Sequence, residues 1–587
     1  MFNLPQKRFF NSTSLNYDIT DNFSITYRLG LDTYTELQEL RYNKGGPSDS
    51  QATTSGYYRS VNITNTIWNQ DLVLNWKKEF NDKFGMSFLL GGNSRYDNYE
   101  QNGIASQGQL AFGLFRHTNF TTSASRDAYS GGALNSTQEE RRMGVYANVT
   151  LDYADYLFLN LSARNDWTST VERENRSILY PGASISFIPT TAFDWNSSTL
   201  NDLKLRLGYG TSAGYPRPYS TRNTLAQSAR AFDRGGAVTQ THSVSNALGN
   251  PNLKPELHAE LEFGVEAVMF NNKLRFDLSL YEKNTRDLIT DAPIDPATGF
   301  TSTSINIGKI RNRGIEFQAS ATPVATASGF TWETTLNYGM YRSLVLELGG
   351  GLEEIVVAGF TDLGNFAIPG QPFNVIKGIG FERDEATGQP IILSNGLHKP
   401  SAELQILGDP NPKWTGSWIN TFSFKGFTLS AMMEYRHKGD IFSSTVTGTL
   451  ARGVTKDPVA DRELTFIMPG VKEDGTPNDR QISASDYFFS GYQGATDLPN
   501  VFDGSMIRLR EVSLAYQVPT SLMSKTPFKR ASVALSGTNL WFLALNFPPN
   551  MNFDTDVLGT GVGNGLGFDF ITGPSSRRLG GTVVLTF

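Results

Sequence analysis

The most enzyme-like pattern in this sequence is Gly210-Thr211-Ser212-Ala213-Gly214, which has the G-x-S-x-G spacing of a hydrolase nucleophile elbow. An elbow needs a strand, a sharp turn and then a helix to expose its serine. Here a strand-like run leads into a loop of glycine, proline and tyrosine, so the pattern predicts a strand end and not a nucleophile. The five histidines are His117, His242, His258, His398 and His437. None forms an i, i+4 pair, so they do not indicate a zinc-enzyme site and are expected at the surface.

Two patterns further along the chain could hold a phosphate or an ion. The glycine-rich run from Gly559 to Gly567 lacks the G-x-G-x-x-G spacing and the Lys-Ser/Thr pair of a phosphate-binding loop. Asp554 and Asp556 could offer carboxylate oxygens to calcium, but the full ligand spacing of a calcium loop is missing. We therefore expect no enzyme, no catalytic residue, no cofactor and no metal site, with calcium at the two aspartates left open as an alternative.

The composition excludes several other kinds of chemistry. The 587 residues include no cysteine, which removes thiolate catalysis, disulfides and cysteine metal sites. The net charge is -6 and there is no dense Lys/Arg tract, so we expect no nucleic-acid partner. The mean hydropathy of -0.31 excludes a bundle of membrane helices, and no uninterrupted apolar run approaches the length of a membrane helix.

The elements that position the polar residues are stretches in which apolar and polar side chains alternate. Between Leu157 and Trp167, for example, leucines alternate with Asn160, Ser162 and Arg164. A period of two gives a strand one apolar and one polar face. Repeated through the chain, it predicts an all-β fold, a transmembrane antiparallel β-barrel with membrane lipid outside and water inside. Such a wall predicts a transporter and not an enzyme.

The alternation predicts about 17 strands, joined by short turns on the periplasmic side and long loops on the extracellular side. The predicted strands are Phe9 to Ile19, Phe23 to Asp32, Val61 to Phe80, Phe84 to Tyr99, Val145 to Tyr153, Leu157 to Trp167, Ile185 to Ile188, Leu203 to Tyr209, Glu260 to Phe270, Leu274 to Leu288, Ile305 to Thr322, Phe330 to Tyr341, Trp414 to Phe424, Phe427 to Arg436, Met506 to Val518, Ser532 to Phe542 and Leu579 to Phe587. The long loops are Arg41 to Arg59, Glu100 to Gln138, Ala213 to Glu256, Asp291 to Thr301, Ser343 to Asp409, Gly439 to Phe502 and Asn546 to Pro574. Loops of this length are usually functional, so we expect them to carry ligand and partner contacts.

A substrate path would be lined by polar and aromatic residues of the lumen. The candidates are Arg164, Asp166, Arg275, Asp277, Tyr215 and Tyr219. The four charged residues would set the electric field along the path, and the two tyrosines would contact a sugar or a peptide. The alternatives are that the charged residues pair across strands and that aromatic residues at strand ends anchor the barrel at the level of the lipid headgroups.

Five short segments and the end of the chain carry a family resemblance. The segments are Asn250-Pro-Asn-Leu-Lys-Pro-Glu256, Ile307-Gly-Lys-Ile-Arg-Asn-Arg-Gly-Ile-Glu-Phe317, Leu407-Gly-Asp-Pro-Asn-Pro-Lys-Trp414, Ala163-Arg-Asn-Asp-Trp167 and Ser536-Gly-Thr-Asn-Leu-Trp541. Together they resemble the TonB-dependent outer-membrane transporters, in particular the SusC/RagA-like branch of the Bacteroidetes. The alternating final strand that stops at Phe587 resembles the assembly signal of bacterial outer-membrane barrels.

The resemblance covers nearly the whole chain and implies a function and a set of partners. It implies a 22-stranded barrel in the outer membrane of a Gram-negative cell that actively imports bulky nutrients, either oligosaccharide or peptide. Energy would come from TonB-ExbB-ExbD through a plug domain, and a SusD-like surface lipoprotein would cover the barrel.

The chain also departs from the family pattern. Residues 1–587 resemble the C-terminal portion of the barrel, whereas the signal sequence, the Ton box, the plug and about five first strands are not found. An open sheet edge in lipid leaves backbone groups without hydrogen bonds. We therefore expect an upstream segment or a separate chain to supply the plug and the first strands.

One alternative from another class is a cell-surface β-rich binding protein or adhesin that does not transport. It would need separate sandwich domains joined by linkers, with apolar residues facing each other between two sheets. The sequence shows no such linker, so this alternative is weaker than the barrel.

Overall fold

The structure is a computed structural model that describes residues 2–3, 5–46, 54–127, 131–195, 197–234, 237–455, 463–488, 495–524, 526–548, 551–556 and 565–587. The chain divides into two compact units. The first comprises Met1–Ile185, Gly210–Leu257 and Pro293–Asn306, and the second comprises Ser186–Tyr209, His258–Ala292 and Ile307–Phe587. In the described part of the chain, no helix is long and apolar enough to cross a membrane.

The first unit is built mainly from long strands that follow one another along the chain. They are β1 Gln6–Thr20, β2 Phe23–Tyr42, β3 Tyr57–Asn81, β4 Phe84–Gln109, β5 Ser136–Tyr153, β6 Leu157–Thr168 and most of β7 Ser177–Phe187. From β1 to β6, each strand pairs antiparallel with the next. The shorter elements are the strands Phe2–Asn3, Phe120–Ala124, Leu225–Arg234, Ala237–Val244, Ala247–Leu248 and Ser302–Asn306 and the 3-10 turns His117–Asn119, Arg173–Asn175 and Pro296–Thr298.

The second unit repeats the same up-and-down order. Strands β8 Leu200–Gly214 and β9 Glu256–Met269 have residues in both units. The next strands are β10 Leu274–Arg286, β11 Lys309–Ala325, β12 Thr331–Glu347, β13 Trp414–Phe424, β14 Phe427–His437, β15 Val501–Gln517, β16 Arg530–Asn546 and β17 Arg578–Thr586. From β10 to β17, each strand pairs antiparallel with the next.

The short elements of the second unit lie mostly in the long connections. Its helices are Pro189–Ala192, Ser444–Ala451, Ala484–Asp486 and Thr520–Met523, and its 3-10 turns are Gly349–Gly351 and Leu498–Asn500. The short strands are Ile289–Pro293, Ile355–Gly359, Gly364–Ala367, Val375–Phe381, Ile391–Ile392, Pro400–Gly408, Asp440–Ser443, Thr465–Ile467, Val471–Lys472, Gln481–Ser483 and Phe568–Asp569.

The 17 strands β1 to β17 correspond one for one to the predicted strands, which confirms the predicted number for the described residues. Several strands are longer than predicted. Strand β4 was expected to end at Tyr99 but continues to Gln109, where Gln107 lies opposite Tyr57. Backbone hydrogen bonds extend this ladder beyond the point where the apolar alternation stops, so the side-chain pattern could not mark its end.

The long loops contain more folded structure than the sequence indicated. The predicted loop from Ser343 to Asp409 contains four antiparallel strands, Ile355–Gly359, Gly364–Ala367, Val375–Phe381 and Pro400–Gly408. Ile376 of this small sheet is completely buried and packs with Phe442 and Phe568. The loops of the second unit are therefore fixed by apolar contacts of their own.

Apolar side chains are buried beneath the loops, while one face of the long strands leaves them exposed. In the first unit Tyr57, Val61 and Leu134 form a buried cluster where β3 meets a long connection. On the strands, by contrast, Leu72 and Trp418 are each 50% exposed. A sandwich would cover such side chains with a second sheet, whereas a membrane barrel leaves them facing lipid. This distribution disfavours the adhesin alternative.

Tight packing on the polar face depends on Gly91 in β4. Gly91 lies opposite Tyr146 of β5, and a Cβ atom on Gly91 would overlap the tyrosine ring. At the adjacent Gly92, which faces the opposite side, a Cβ would have no atom within 4 Å. A larger side chain would therefore fit at Gly92 but not at Gly91, although the two glycines are neighbours in one strand.

We predict that Gly91→Ala destabilises the folded protein by about 1–3 kcal/mol, because the new methyl group displaces the Tyr146 ring. Gly92→Ala is the matched control and should change the free energy of unfolding by less than about 0.5 kcal/mol. Urea unfolding from lipid vesicles measures both. Equal effects of the two substitutions would show that the ring does not occupy the space above Gly91.

Candidate functional site

Polar side chains of the first unit meet around the carboxylate of Asp166, which is 6% exposed. Arg164 Nε donates a hydrogen bond to Asp166 Oδ1 at 2.7 Å. The Tyr215 hydroxyl donates to Asp166 Oδ2 at 3.0 Å, and the Tyr180 hydroxyl donates to the same oxygen. Arg164 and Asp166 share a face because they are two residues apart in β6. The carboxylate thus holds three donors from three chain segments.

The ring of Tyr215 is fixed as well as its hydroxyl. The guanidinium of Arg142 lies 4.9 Å from the Tyr215 ring centroid, and Arg142 also pairs with Glu140, at 2.5 Å. A cation over an aromatic face is attracted by the ring electrons. Tyr215 therefore fastens the segment after β8 onto the polar face of the first unit, and it has little freedom to turn toward a ligand.

The same connection is fastened again a few residues later. The hydroxyl of Tyr219 accepts a hydrogen bond from the Glu139 backbone N–H at 3.4 Å, while the side chain is 52% exposed. Arg222 donates two hydrogen bonds of 2.8 Å to the Glu172 carboxylate, and the Thr221 hydroxyl donates one of 2.9 Å. These bonds, those from Arg222 first, lower the pKa of Glu172 to about 2. Glu172 is therefore ionised under physiological conditions and anchors the connection.

A second network of charges lies on the polar face of the second unit. Arg206 donates to Asp277 Oδ1 at 2.9 Å and to Ser279 Oγ at 3.2 Å, and it also pairs with Glu266. Arg275 lies two residues before Asp277 on the same strand and is exposed. Asp277 is thus the ion-pair partner of Arg206, a residue that the sequence pattern did not indicate.

The predicted path residues contribute to one hydrogen-bond network in each unit. Arg164, Asp166 and Tyr215 are in direct contact, whereas Asp277 belongs to the network of Arg206. Arg164 and Asp166 pair within strand β6, whereas Asp277 pairs with Arg206 of another strand. Their role in a substrate path stays a prediction, as does that of Arg275 and Tyr219.

A cavity of about 700 Å³ opens on the polar face of the second unit. Its lining includes Asp277, Glu316, Gln318, Asn337, Glu434 and Arg510. Gln318 Nε2 donates to Asn337 Oδ1 at 2.8 Å, and Asn337 Nδ2 donates to Ser417 Oγ at 2.9 Å, so part of the wall is a chain of neutral hydrogen bonds. Arg510 joins Glu434 to Asp556 at the other side of the lining. The lining thus combines amides and ion-paired charges with apolar side chains such as Phe317 and Met432.

Arg508 forms the most deeply buried ion pair of this region, and the sequence did not indicate it. The side chains of Arg508 and Asp554 are 1% and 4% exposed and are paired directly. Asn539 Oδ1 accepts hydrogen bonds from Arg508 Nη1 and from Arg510 Nη1, both at 3.1 Å. The two aspartates considered for calcium, Asp554 and Asp556, therefore face arginines.

Asn539 explains one of the five segments that carry the family resemblance, Ser536-Gly-Thr-Asn-Leu-Trp541. Its backbone has φ of 53°, in the left-handed region that asparagine tolerates better than most residues. It lies in a bulge of β16, where Asn539 and Leu540 together oppose Arg510 of β15. Arg508 and Arg510 are two residues apart on one face of β15 and both donate to Asn539, so the segment anchors the arginine cluster.

The segment Leu407-Gly-Asp-Pro-Asn-Pro-Lys-Trp414 forms a fixed corner before β13. Asp409 Oδ1 accepts hydrogen bonds from both the backbone N–H and the side-chain amide of Asn411, at 3.0 and 2.8 Å. Arg436 Nη2 donates to the Pro410 carbonyl at 3.2 Å, and its Nε donates to the Lys438 carbonyl at 3.2 Å. The segment is thus an anchor for the long connection and not a ligand site.

The enzyme-like and metal-like patterns do not assemble in the described part of the chain. Ser212 lies inside strand β8, and Thr211 Oγ1 donates to the Pro181 carbonyl at 2.7 Å. The described residues contain no group of three or more acidic or histidine side chains placed to hold a metal. His398 is half-buried and stacks on Phe381 with ring centroids 3.8 Å apart, and burial lowers its pKa to about 4. His398 is therefore a neutral packing residue rather than a surface histidine. The glycine run from Gly559 lies mostly outside the described residues.

These features define a class of protein. Up-and-down antiparallel strands with an exposed apolar face, a polar face of paired charges, short turns and long loops are those of an outer-membrane β-barrel. The family model described as TonB dependent receptor-like, beta-barrel, matches residues 2–458. The chain belongs to this family of outer-membrane proteins, which confirms the predicted fold class, family and localisation.

Curated relatives and solved structures agree with the family. TonB-dependent receptor P26 of Formosa agariphila is 26% identical over 589 residues, covering 94% of this chain and 57% of the relative. TonB-dependent receptor SusC of Bacteroides thetaiotaomicron is 26% identical over 255 residues, covering 40% of this chain and 25% of the relative. The chain spans about half the length of the curated relatives it matches. The structure of the RagAB peptide transporter has the same fold, with a TM-score of 0.73 at 19% identity, covering 100% of this chain and 62% of that one.

We predict that Arg508→Leu costs about 3–5 kcal/mol of stability, because Asp554 would stay buried without its cationic partner. The control is Arg313→Leu. Arg313 pairs with Glu282 at 2.6 Å, but its side chain is 61% exposed. This substitution should cost about 1 kcal/mol of stability or less. Urea unfolding in lipid vesicles gives both values. Adding Asp554→Leu to Arg508→Leu should recover a large part of the loss. If Arg508→Leu costs no more than the control, the buried pair does not stabilise this wall.

Proposed function

We propose that this chain forms most of the wall of a TonB-dependent importer that takes bulky nutrients, oligosaccharide or peptide, across the outer membrane. The observation that carries the proposal is the family match over residues 2–458, supported by strands that present paired charges on one face and exposed apolar residues on the other. The relatives named above are receptors of the TonB-dependent class. The proposal includes no catalytic step.

Two kinds of partner follow from the proposal. A SusD-like surface lipoprotein would contact the long loops, which the buried clusters hold in fixed positions. TonB-ExbB-ExbD would act through a plug that occupies the polar interior of the barrel. Glu316 and the Arg510 network line the cavity of the second unit and would meet either the plug or the cargo. The lumen role of Arg164, Asp166, Arg275 and Asp277 is part of this proposal.

The cargo class is the least constrained part of the proposal. The name of the structurally similar RagAB transporter states that it carries peptide. A likeness at 19% identity extends only to the fold, so oligosaccharide and peptide are both retained for this chain. The polar wall of the cavity accepts either, since sugars and peptide backbones both offer hydroxyl, amide or carbonyl groups for hydrogen bonding.

Uptake measurements test the proposed function. We predict that deleting the gene abolishes growth on one polymeric nutrient class and leaves growth on its monomers unchanged. A protonophore should stop accumulation of the labelled polymer in wild-type cells and leave its binding at the cell surface intact, because only transport needs energy from the inner membrane. A different pair of results would instead support the adhesin alternative. The deletion strain would lose binding of the polymer at the cell surface, and the protonophore would not change the amount of polymer taken up by wild-type cells.

Under the proposed function, additional polypeptide would attach at the long strands β1 and β17. All 15 residues of β1 are exposed, and the strand pairs with β2 along one edge. All nine residues of β17 are exposed, and this strand pairs with β16. A strand edge in hydrocarbon costs several kcal/mol for each backbone group without a hydrogen bond. We propose that about five further strands, from an upstream segment or a separate chain, cover these edges and bring the plug with them.

Expression with and without the additional polypeptide tests this arrangement. Residues 1–587 alone should not give the heat-modifiable gel species of a closed barrel, whereas co-expression with the complementing polypeptide should. The control is a variant of the complementing polypeptide that lacks its strands but keeps the plug. A stable, heat-modifiable monomer obtained from residues 1–587 alone would contradict the proposal.

A further inference from the structure

Two lysines, one in each unit, hold their ammonium groups over phenylalanine rings at the short-turn end of a strand. Lys78 Nζ lies 5.5 Å from the ring centroid of Phe80, and Lys425 Nζ lies 5.1 Å from that of Phe424. All four side chains are exposed. Among the described residues, neither lysine has a carboxylate within ion-pair distance. Both are therefore cations whose charge the protein itself does not balance.

The strand alternation places Lys78, Phe80 and Phe424 on the apolar face, and Lys425 follows Phe424 in the turn. Leu72, Trp76, Lys78 and Phe80 occupy alternate positions near the end of β3. Phe424 is the last residue of β13 and lies an even number of residues after Trp418, so the two side chains share a face. Trp418 is 50% exposed. In a membrane barrel this face contacts lipid, and the strand ends lie at the level of the headgroups.

Further aromatic side chains surround each lysine. In the first unit, Phe80 lies 6.2 Å from Trp76 and 5.6 Å from Phe84, measured between ring centroids. In the second unit, Phe427 follows the turn that contains Lys425, and its ring lies 4.4 Å from that of Tyr516. Aromatic rings favour the boundary between headgroups and acyl chains. The rings thus set the depth of the two lysines at the polar side of this boundary.

The turn geometry holds Lys425 in place. Lys425 and Gly426 have φ of 47° and 86°, and together they connect β13 to β14. The Gly426 carbonyl accepts a hydrogen bond from the Gln517 N–H at 2.8 Å, which ties the turn to the end of β15. The backbone beneath Lys425 is therefore rigid, so a ligand of its ammonium group would be held at a constant position relative to the membrane.

We propose that Lys78 and Lys425 each bind the phosphate of a phospholipid in the membrane leaflet at the short-turn end, while the adjacent rings contact the glycerol and upper acyl region. An unbalanced ammonium group at the membrane surface attracts anionic lipid. The aromatic neighbours give the site an apolar surface that faces lipid. A binding site for free phosphate would not need such a surface. The inference rests on the membrane location of the strands and not on the proposed transport.

The chain offers a matched control at the opposite end of β13. Lys413 is exposed and precedes Trp414, the first residue of the strand, whereas Lys425 follows Phe424, the last. Lys413 and Lys425 are thus both exposed lysines beside an aromatic residue of one strand. They differ in lying at the long-loop and short-turn ends, and only Lys425 of the two is placed over a ring within the described residues.

Lipid titration of the purified full-length protein tests the proposal. Native mass spectrometry counts the molecules of phosphatidylglycerol retained in mild detergent, with phosphatidylcholine as the neutral comparison. Each of K78Q and K425Q should weaken phosphatidylglycerol retention about fivefold, and K413Q should leave it unchanged. K78R and K425R should retain the lipid, because the positive charge is kept. A circular dichroism spectrum with the same strand signal as the wild-type protein checks that each variant is folded.

Three results would overturn the proposal. The first is equal retention of phosphatidylglycerol by wild type and the K78Q/K425Q double variant when both are folded. The second is an equal loss in K413Q, which would show a general effect of surface charge. The third is displacement of the lipid by millimolar inorganic phosphate, which would show that the lysines bind free anions. Failure of the uptake experiment would leave this proposal standing, since lipid retention does not require transport.

Discussion

The demand of backbone groups for hydrogen-bond partners in hydrocarbon governs the rest of this structure. A strand that faces lipid cannot replace a missing neighbour with water. An inner strand therefore pairs along both edges, as β3 does with β2 and β4 over most of its length. The same demand explains why the turns at one end are short, since they return the chain directly to the ladder. The same demand is the physical basis for proposing further strands beside the fully exposed strands β1 and β17.

Charges on the polar face follow a related rule. Asp166, Arg206 and Arg508 lie in a wall where the surroundings are only partly wet, so each is matched by groups that balance it. Unmatched charge at a buried position costs several kcal/mol, whereas matched charge costs much less. Arginine suits this setting because its planar fork reaches several acceptors at once. The networks thus stabilise the wall, whereas Glu316 and Arg275 are more exposed.

The sequence predicted the strands well because their signal is local. In β6, leucine and polar residues alternate, and the structure reproduces that alternation with little shift at either end. Contacts between residues distant in sequence were not predictable in the same way. Arg508 and Asp554 are 46 residues apart, and the hydroxyl of Tyr215 reaches Asp166 across 49 residues. No single-sequence pattern marks such pairs. The folded strands between Ser343 and Asp409 were missed because each is short and lacks a long alternation.

The segments that carry the family resemblance turn out to be anchors, and this separates fold from cargo. Asn539 orients two arginines. Asp409 and Asn411 close a corner, and Arg436 donates a hydrogen bond to the carbonyl of Pro410 in that corner. These residues hold the backbone, and a fold does not by itself determine what a protein binds. Under the proposed function, cargo preference would depend on the loop surfaces and the cavity lining, where side chains are not committed to holding the backbone. The family resemblance and the cargo preference are therefore encoded by different residues of this chain.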